Sequence, residues 1–477
     1  MTQIKLPLFY DYVFPNYILP NALPPELGVV NYLHSLHSNR LSGHTFFDQT
    51  DNIGNYQNVL NYMFEKSFGD WTSAWGGSPH LVSNPSGPLS WYVNCQEESV
   101  FFGKKKFNKY IYPIRVSPHF DDFTGVSDHQ SRLNGQYFWK FISKEALDDI
   151  RQGRAIIFLD YSLENFVDKS SYIKLHTSLE KSGIPKEQII LAYNSFNAQE
   201  LYENWFSEEE RKLTVRNFPF LMINASYSYN VQSEKVMSTQ IFQQTKSIIR
   251  NNYFVFKIRR PRIHRKAILY QLYSDNLLEK GDWSWVSNDR FSNDTMDQLE
   301  KNYNIFLDRQ KIEEFCKSLP HQLQKEPYAN FDTVGAWDHK DVETYQNSYF
   351  DICTETYTSQ GHKSLTEKVF SPLINFQPLL FVAFPKALEL LQSLGFKTFH
   401  PFIDESYDKE TDTELRIKMI YNEIKRLCTM SKEEIHNWYW GMEEILIHNH
   451  NHLLQIYKNE QNSMSLMHYL NSRMMRI

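Results

Sequence analysis

Short apolar runs alternating with amphipathic stretches constrain this chain more than any other feature. AIIFLD (Ala155 to Asp160) follows a helix expected over Lys144 to Gln152 and closed by Gly153. QIILAY (Gln188 to Tyr193) follows an amphipathic stretch from Asp168 to Lys181 that stops at Gly183. A helix is expected from Ala198 to Phe206, and a further strand within Leu213 to Ile223. A wholly apolar strand has no face for water, so it must be covered on both sides. Strands separated by helices of about a dozen residues meet that need as a parallel sheet with right-handed crossovers.

The pattern returns in the second half. YFVFKI (Tyr253 to Ile258) precedes a helix expected from about Lys266 to Leu278, and Trp283 to Val286 reads as a short strand. Phe350, Ile352 and Cys353 make a buried strand, and PLLFVAF (Pro378 to Phe384) makes another. A helix from Lys386 to Ser393 stops at Gly395, and Lys397 to Phe402 reads as a strand. Helices are expected over Thr413 to Cys428 and Ser431 to Tyr457, the second opened by the capping box Ser431-Lys432-Glu433-Glu434. Residues 225–250 are polar and then helical, as a connection between domains is. The expected fold is α/β, with two Rossmann-like domains. They cover residues 1–245 and 246–425, with a helical segment over 426–477; a length of 477 suits two domains.

Composition removes several classes. A net charge of -6 argues against a broad nucleic-acid surface. No apolar run reaches the ~20 residues of a membrane span. MTQIKLPLFYDYVFP reads as neither a signal peptide nor a transit peptide, so a cytoplasmic location is expected. Cys95, Cys316, Cys353 and Cys428 fit no metal spacing and read as free thiols. His448 and His452 have i,i+4 spacing, but no acidic partner accompanies them, and a polar helix face is expected. The stretch from Trp71 to Leu89, rich in Gly, Pro, Ser and Trp, reads as a loop.

Open parallel sheets bind ligands beyond the carboxyl ends of their strands. In the first half, Asp160 and Glu164 fall there. Asp122 follows the strand expected from Ile111 to Val116, in the cluster Ser117-Pro118-His119-Phe120-Asp121-Asp122. These three carboxylates are the candidate catalytic bases, in the order Glu164, Asp160, Asp122. In the second half, Arg259, Arg260, Arg262, His264 and Arg265 follow the strand YFVFKI and precede a helix. A basic turn before a helix N-terminus is a phosphate site, because backbone amides and guanidinium forks point the same way. After the strand at Phe350 come Glu355, Lys363 and then Thr366, an N-cap, with Glu367 and Lys368 in the opening turn. A carboxylate there can accept both hydroxyls of a ribose, and a lysine can hold phosphate.

In that order, FVFKIRRPRIHRKAILYQL, FDICTET, SLTEKVF and PLLFVAFP make residues 253–400 resemble a known pattern. It is that of the donor-binding half of the alpha-1,3-fucosyltransferases and related two-domain glycosyltransferases. The resemblance implies a glycosyltransferase B architecture, with two Rossmann-like domains facing a cleft. It implies transfer of a sugar from a nucleoside diphosphate to an acceptor hydroxyl; no Asp-x-Asp motif occurs near a strand end, so no obligatory metal is expected, and no cofactor beyond the nucleotide-sugar substrate. Arg262 or Arg265 would neutralise the diphosphate, Glu367 would hold the ribose, Lys368 a phosphate, and Glu355 would sit beside the sugar. Thr356 stands where that family has Asn, and Ser364 where it has Tyr, so the donor need not be GDP-fucose.

Two other readings share the fold. One is a glycosyltransferase acting on DNA or nucleotides, as viruses use; Lys104 to Lys109 is its only basic hint. The other is a non-catalytic nucleotide-binding scaffold. The expected partners are a nucleotide sugar and an acceptor that is a glycan, a protein or a modified nucleic acid.

Overall fold

The computed structural model describes residues 81–82, 109–116, 144–161, 168–231, 236–258, 260–286, 291–321, 323, 342–358, 361, 363–456 and 473. The chain divides into two compact units, with the division after Phe218.

In the first unit, β1 (Leu81–Val82), β2 (Tyr110–Val116), β3 (Ala155–Tyr161), β4 (Ile189–Tyr193) and β5 (Thr214–Asn217) form one sheet in that order. β2 to β5 are parallel, and β1 adds antiparallel to β2. Leu81 and Val82 lie inside the stretch expected to be loop. Their local sequence favours a turn, but the unpaired edge of β2 supplies the partners that turn them into a strand. Helices α1 (Lys144–Arg151), α2 (Lys169–Lys181) and α3 (Ala198–Trp205) make the crossovers. All of β4 is buried, as is β3 from Ala155 to Leu159, which is why these strands read as unbroken apolar runs. Gly153 and Gly183 hold φ of +74° and +64°, the left-handed conformation that ends α1 and α2. Asp168 caps α2 by accepting from the Ser171 amide at 2.6 Å.

The second unit begins with α4 (Phe220–Val231) and α5 (Thr239–Gln244), part of the stretch expected to connect domains. Its sheet contains β6 (Asn252–Ile258), followed by α6 (Ile263–Ser274) and β7 (Gly281–Trp285). Helices α7 (Asn293–Tyr303), α8 (Arg309–Lys317) and α9 (Val342–Gln346) lead to β8 (Ser348–Thr354). Then come α10 (Glu367–Ile374), β9 (Leu379–Val382) and α11 (Ala387–Ser393). The strand order is β7-β6-β8-β9, all parallel. α12 (Thr413–Thr429), α13 (Lys432–Trp440) and α14 (Glu443–Ile456) complete the unit, α14 packing on α10 and α4.

Three further elements differ from expectation. α6 starts at Ile263 rather than near Lys266, because Pro261 sits just ahead of the cap position and cannot interrupt the ladder there. Its first turn therefore carries the basic residues. Residues 397–402 form no strand. The Asn449 amide group takes both backbone groups of Lys397, at 2.8 Å each, so that residue has none left for a ladder. The helix expected from Ser431 to Tyr457 breaks between Trp440 and Glu443. A Cβ on Gly441 would stand 2.7 Å from the Phe402 ring, so only glycine permits that approach. The capping box at Ser431 and Glu434 is present, with Ser431 N donating to Glu434 at 2.7 Å. His448 and His452 lie against carbonyls of Gly395 and Leu394, at 2.9 and 2.7 Å, beyond the end of α11. Their rings close a helix terminus, where a donor is favoured by the exposed carbonyls. Cys316, Cys353 and Cys428 are buried and form no disulfide among the described residues.

Candidate functional site

The second sheet changes direction at β6. The chain runs from β6 through α6 to β7 on one side, then returns to lay β8 on the other. The connections leaving β6 and β8 thus diverge and open a crevice at the carboxyl ends of these two strands. The basic turn follows β6, and the Glu355 loop follows β8.

Arg262 occupies the N-cap of α6, with an extended backbone and no side-chain cap. The amides of Arg265 and Lys266 both return to the Arg262 carbonyl, at 3.0 and 2.9 Å. Those of Ile263 and His264 have no acceptor among the described residues. The Arg262 side chain is exposed. A helix start with two open amides, and with an arginine rather than a carboxylate in the cap position, favours an anion.

Arg265, in the same turn, is buried. Its guanidinium donates to the Arg260 carbonyl at 2.9 Å and to the carbonyls of Thr354 and Glu355 at 3.1 and 3.2 Å. It therefore stitches the end of β8 to the basic turn. Its Nε has no partner among the described residues. Burial lowers the Arg265 pKa to about 10, partly opposed by the Glu355 charge, so it stays cationic at neutral pH. His264 is buried with Nε2 3.0 Å from the Glu355 carbonyl. A carbonyl only accepts, so this nitrogen carries the proton. Burial, with Arg265 beside it, lowers the imidazole to about 3 and keeps it neutral.

Glu355 is 1% exposed. Its two oxygens accept from the Thr366 amide at 2.8 Å and the Thr366 hydroxyl at 2.7 Å. The carboxylate thus joins the end of β8 to the start of α10. Burial raises its pKa against the opposing charge of Lys368. Thr366 caps α10 through the Lys368 amide at 3.4 Å, as its position in the sequence predicts. Glu367 and Lys368 are half-buried and paired, Nζ to carboxylate at 2.5 Å. Burial alone would raise the Glu367 carboxyl, but Lys368 overcomes it and the net shift is downward. Lys363 is half-buried on the loop between.

The structure therefore gathers Arg262, Arg265, Glu355, Glu367 and Lys368 at one end of one sheet. Arg259 lies outside the described residues. So do Glu164 and Asp122, together with Lys104 to Lys109 apart from the exposed Lys109. Asp160, expected just past the strand end, lies instead within β3, which continues to Tyr161 because both residues pair with β4; its backbone is in register with Arg115 and Ala192, and its side chain lies outside the described residues.

Two further buried charged residues of this unit carry no local motif, and only the first reaches the loop after β8. Arg416, on α12, is 1% exposed and donates to the carbonyls of Glu410, at 2.8 Å, and Thr358. An arginine in line with Ile417, Ile420 and Ile424 on an amphipathic helix is the signal that could have found it. Asp351 lies mid-strand in β8, in register with Val255 and Leu379. Burial raises its pKa to about 7, although the Lys257 charge and the Tyr345 hydroxyl oppose the shift.

Comparison with protein-family models, with curated proteins and with solved structures finds no match to this chain. Among the described residues, no helix is long and apolar enough to cross a membrane.

Proposed function

We propose that this chain is a glycosyltransferase that moves a sugar from a nucleoside diphosphate to an acceptor hydroxyl. One observation carries the reading. The uncapped, arginine-bearing start of α6 lies at the switch point of a parallel sheet and is stitched to the end of β8 by Arg265. A diphosphate meets there two amides, a guanidinium and a positive helix end. The ribose hydroxyls are taken by Glu367, and Lys368 turns from that carboxylate to a phosphate. Arg265, Glu355 and Thr366 hold the two loops in place behind the ligand. As the diphosphate leaves, this positive end stabilises the charge that develops on it.

The resemblance to the fucosyltransferase pattern supports the same reading. It implies a glycosyltransferase B arrangement, in which the first unit faces the donor and supplies a base. Glu164, Asp160 and Asp122 are the carboxylates proposed for that role, and the base takes the acceptor proton as the glycosidic bond forms.

A thermal-shift panel of nucleotide sugars and nucleoside diphosphates tests the proposal, since a ligand of the native state raises its midpoint. Arg262→Ala should weaken diphosphates by about 1.5–3 kcal/mol and leave nucleosides unchanged. If no nucleoside diphosphate or nucleotide sugar moves the midpoint, the reading fails. Tight binding without turnover on any acceptor would support the nucleotide-binding scaffold instead.

A further inference from the structure

The loop that leaves β8 is fastened on both sides of one aromatic residue. On one side Glu355 is locked by its two bonds to Thr366, and its carbonyl takes His264 and Arg265. On the other, the Thr358 carbonyl accepts from Arg416. Tyr357 lies between these anchors and is half-buried. The Arg262 guanidinium lies over one face of its ring, 6.0 Å from the centre.

We infer that Tyr357 is the surface on which the base of the nucleotide rests, and that Arg416 is the positioning residue that keeps it there. The inference rests on the proposed donor site and deepens it. An aromatic ring beside a phosphate-seeking guanidinium matches the two ends of a nucleotide: a flat base and an anionic tail. Aromatic faces bind bases with little regard to which base it is, because every base has a π face. Selectivity among bases therefore comes from other groups, while Tyr357 separates nucleotides from bare phosphates.

Arg416 explains why the ring keeps its place. A loop with one anchor would let Tyr357 swing, and ordering it would then count against binding. A guanidinium reaching Thr358 from a neighbouring helix, with a second bond to Glu410 at 2.8 Å, removes that freedom before the ligand arrives. Lysine at this position keeps the charge but lacks the fork that reaches two carbonyls at once.

The test titrates UDP, GDP and inorganic pyrophosphate into the full chain and into Tyr357→Ala, Tyr357→Phe and Arg416→Lys, with melting curves to confirm folding. Tyr357→Ala should bind the better nucleoside diphosphate roughly 10-fold more weakly, the loss of one base–aromatic contact, and bind pyrophosphate as before. Tyr357→Phe should match the wild type for all three ligands. Arg416→Lys should lower the ratio of nucleotide to pyrophosphate affinity, which a general loss of structure would leave unchanged. The inference is overturned if Tyr357→Ala keeps its nucleotide affinity or loses pyrophosphate equally. It is also overturned if wild-type protein binds pyrophosphate as tightly as either nucleotide, a result that leaves the phosphate site standing. Wild-type protein that binds none of the three overturns the donor site itself. Should Arg416→Lys fail to fold, the two Tyr357 variants decide the matter.

Discussion

Asp351→Asn should stabilise this protein, and by an amount that grows with pH. Asp351 sits in the middle of β8, 6% exposed, with its pKa raised to about 7 by burial, although the nearby Lys257 charge holds it down. In the unfolded chain the same group titrates at its ordinary value of about 3.9. As pH rises, the unfolded state therefore loses this proton first, while the folded state keeps it. Stability from Asp351 is fully present below the unfolded value and is lost as pH climbs through about 7. A gap of about three units is worth on the order of 4 kcal/mol once both states are ionised. Asparagine has the shape of the neutral acid and does not ionise, so the variant escapes this loss. The assay is a melting curve for wild type and variant from about pH 5 to about pH 8, compared as a difference so that other titrating groups cancel. For a unit of this size 1 kcal/mol shifts the midpoint by about 2–4 °C, so the variant should gain on the order of 10 °C at the alkaline end. A difference that stays constant across the range, or a variant that falls behind the wild type as pH rises, would refute the reasoning. Either result would mean that water or Lys257 solvates the carboxylate in place.

Thr366→Val removes one of the two bonds to the buried Glu355 carboxylate and the cap of α10. It should cost about 2–4 kcal/mol in chemical denaturation, and an unchanged midpoint would show that Glu355 finds another donor. Glu367→Ala and Lys368→Ala should each weaken nucleotide-sugar binding by about 1.5–3 kcal/mol in calorimetry while the protein stays folded, and equal affinity in both would exclude them from the site. Among Glu164→Gln, Asp160→Asn and Asp122→Asn, the true base should keep donor binding and abolish transfer. Full turnover in all three would place the base elsewhere in the first unit.

Much of the architecture was legible along the chain. AIIFLD and QIILAY announce β3 and β4 because strands buried on both faces have no room for polar residues. Gly153, Gly183 and Gly395 mark helix ends because each holds a left-handed conformation that a side chain resists. Thr366 reads as a cap from its hydroxyl and its place before a helical turn, and that geometry is local. The gathering of basic residues after β6 is likewise visible as a string of letters.

What that string does not contain is which strand lies beside which. β7 and β8 flank β6, and only this order makes a crevice where the arginine turn meets the Glu355 loop. The Glu355 carboxylate meets Thr366 11 residues away, and Arg416 meets Thr358 58 residues away, so no local pattern encodes these two pairings. Asp351 is a further case: its sequence neighbours are those of any strand, and its raised pKa comes from the elements that close over it. Residues 397–402 have the composition of a strand, yet Asn449 takes the backbone groups of Lys397 first. Local residue preference is worth fractions of a kcal/mol, whereas a satisfied or unsatisfied buried polar group is worth several times more. Where the two disagree, the packed structure decides.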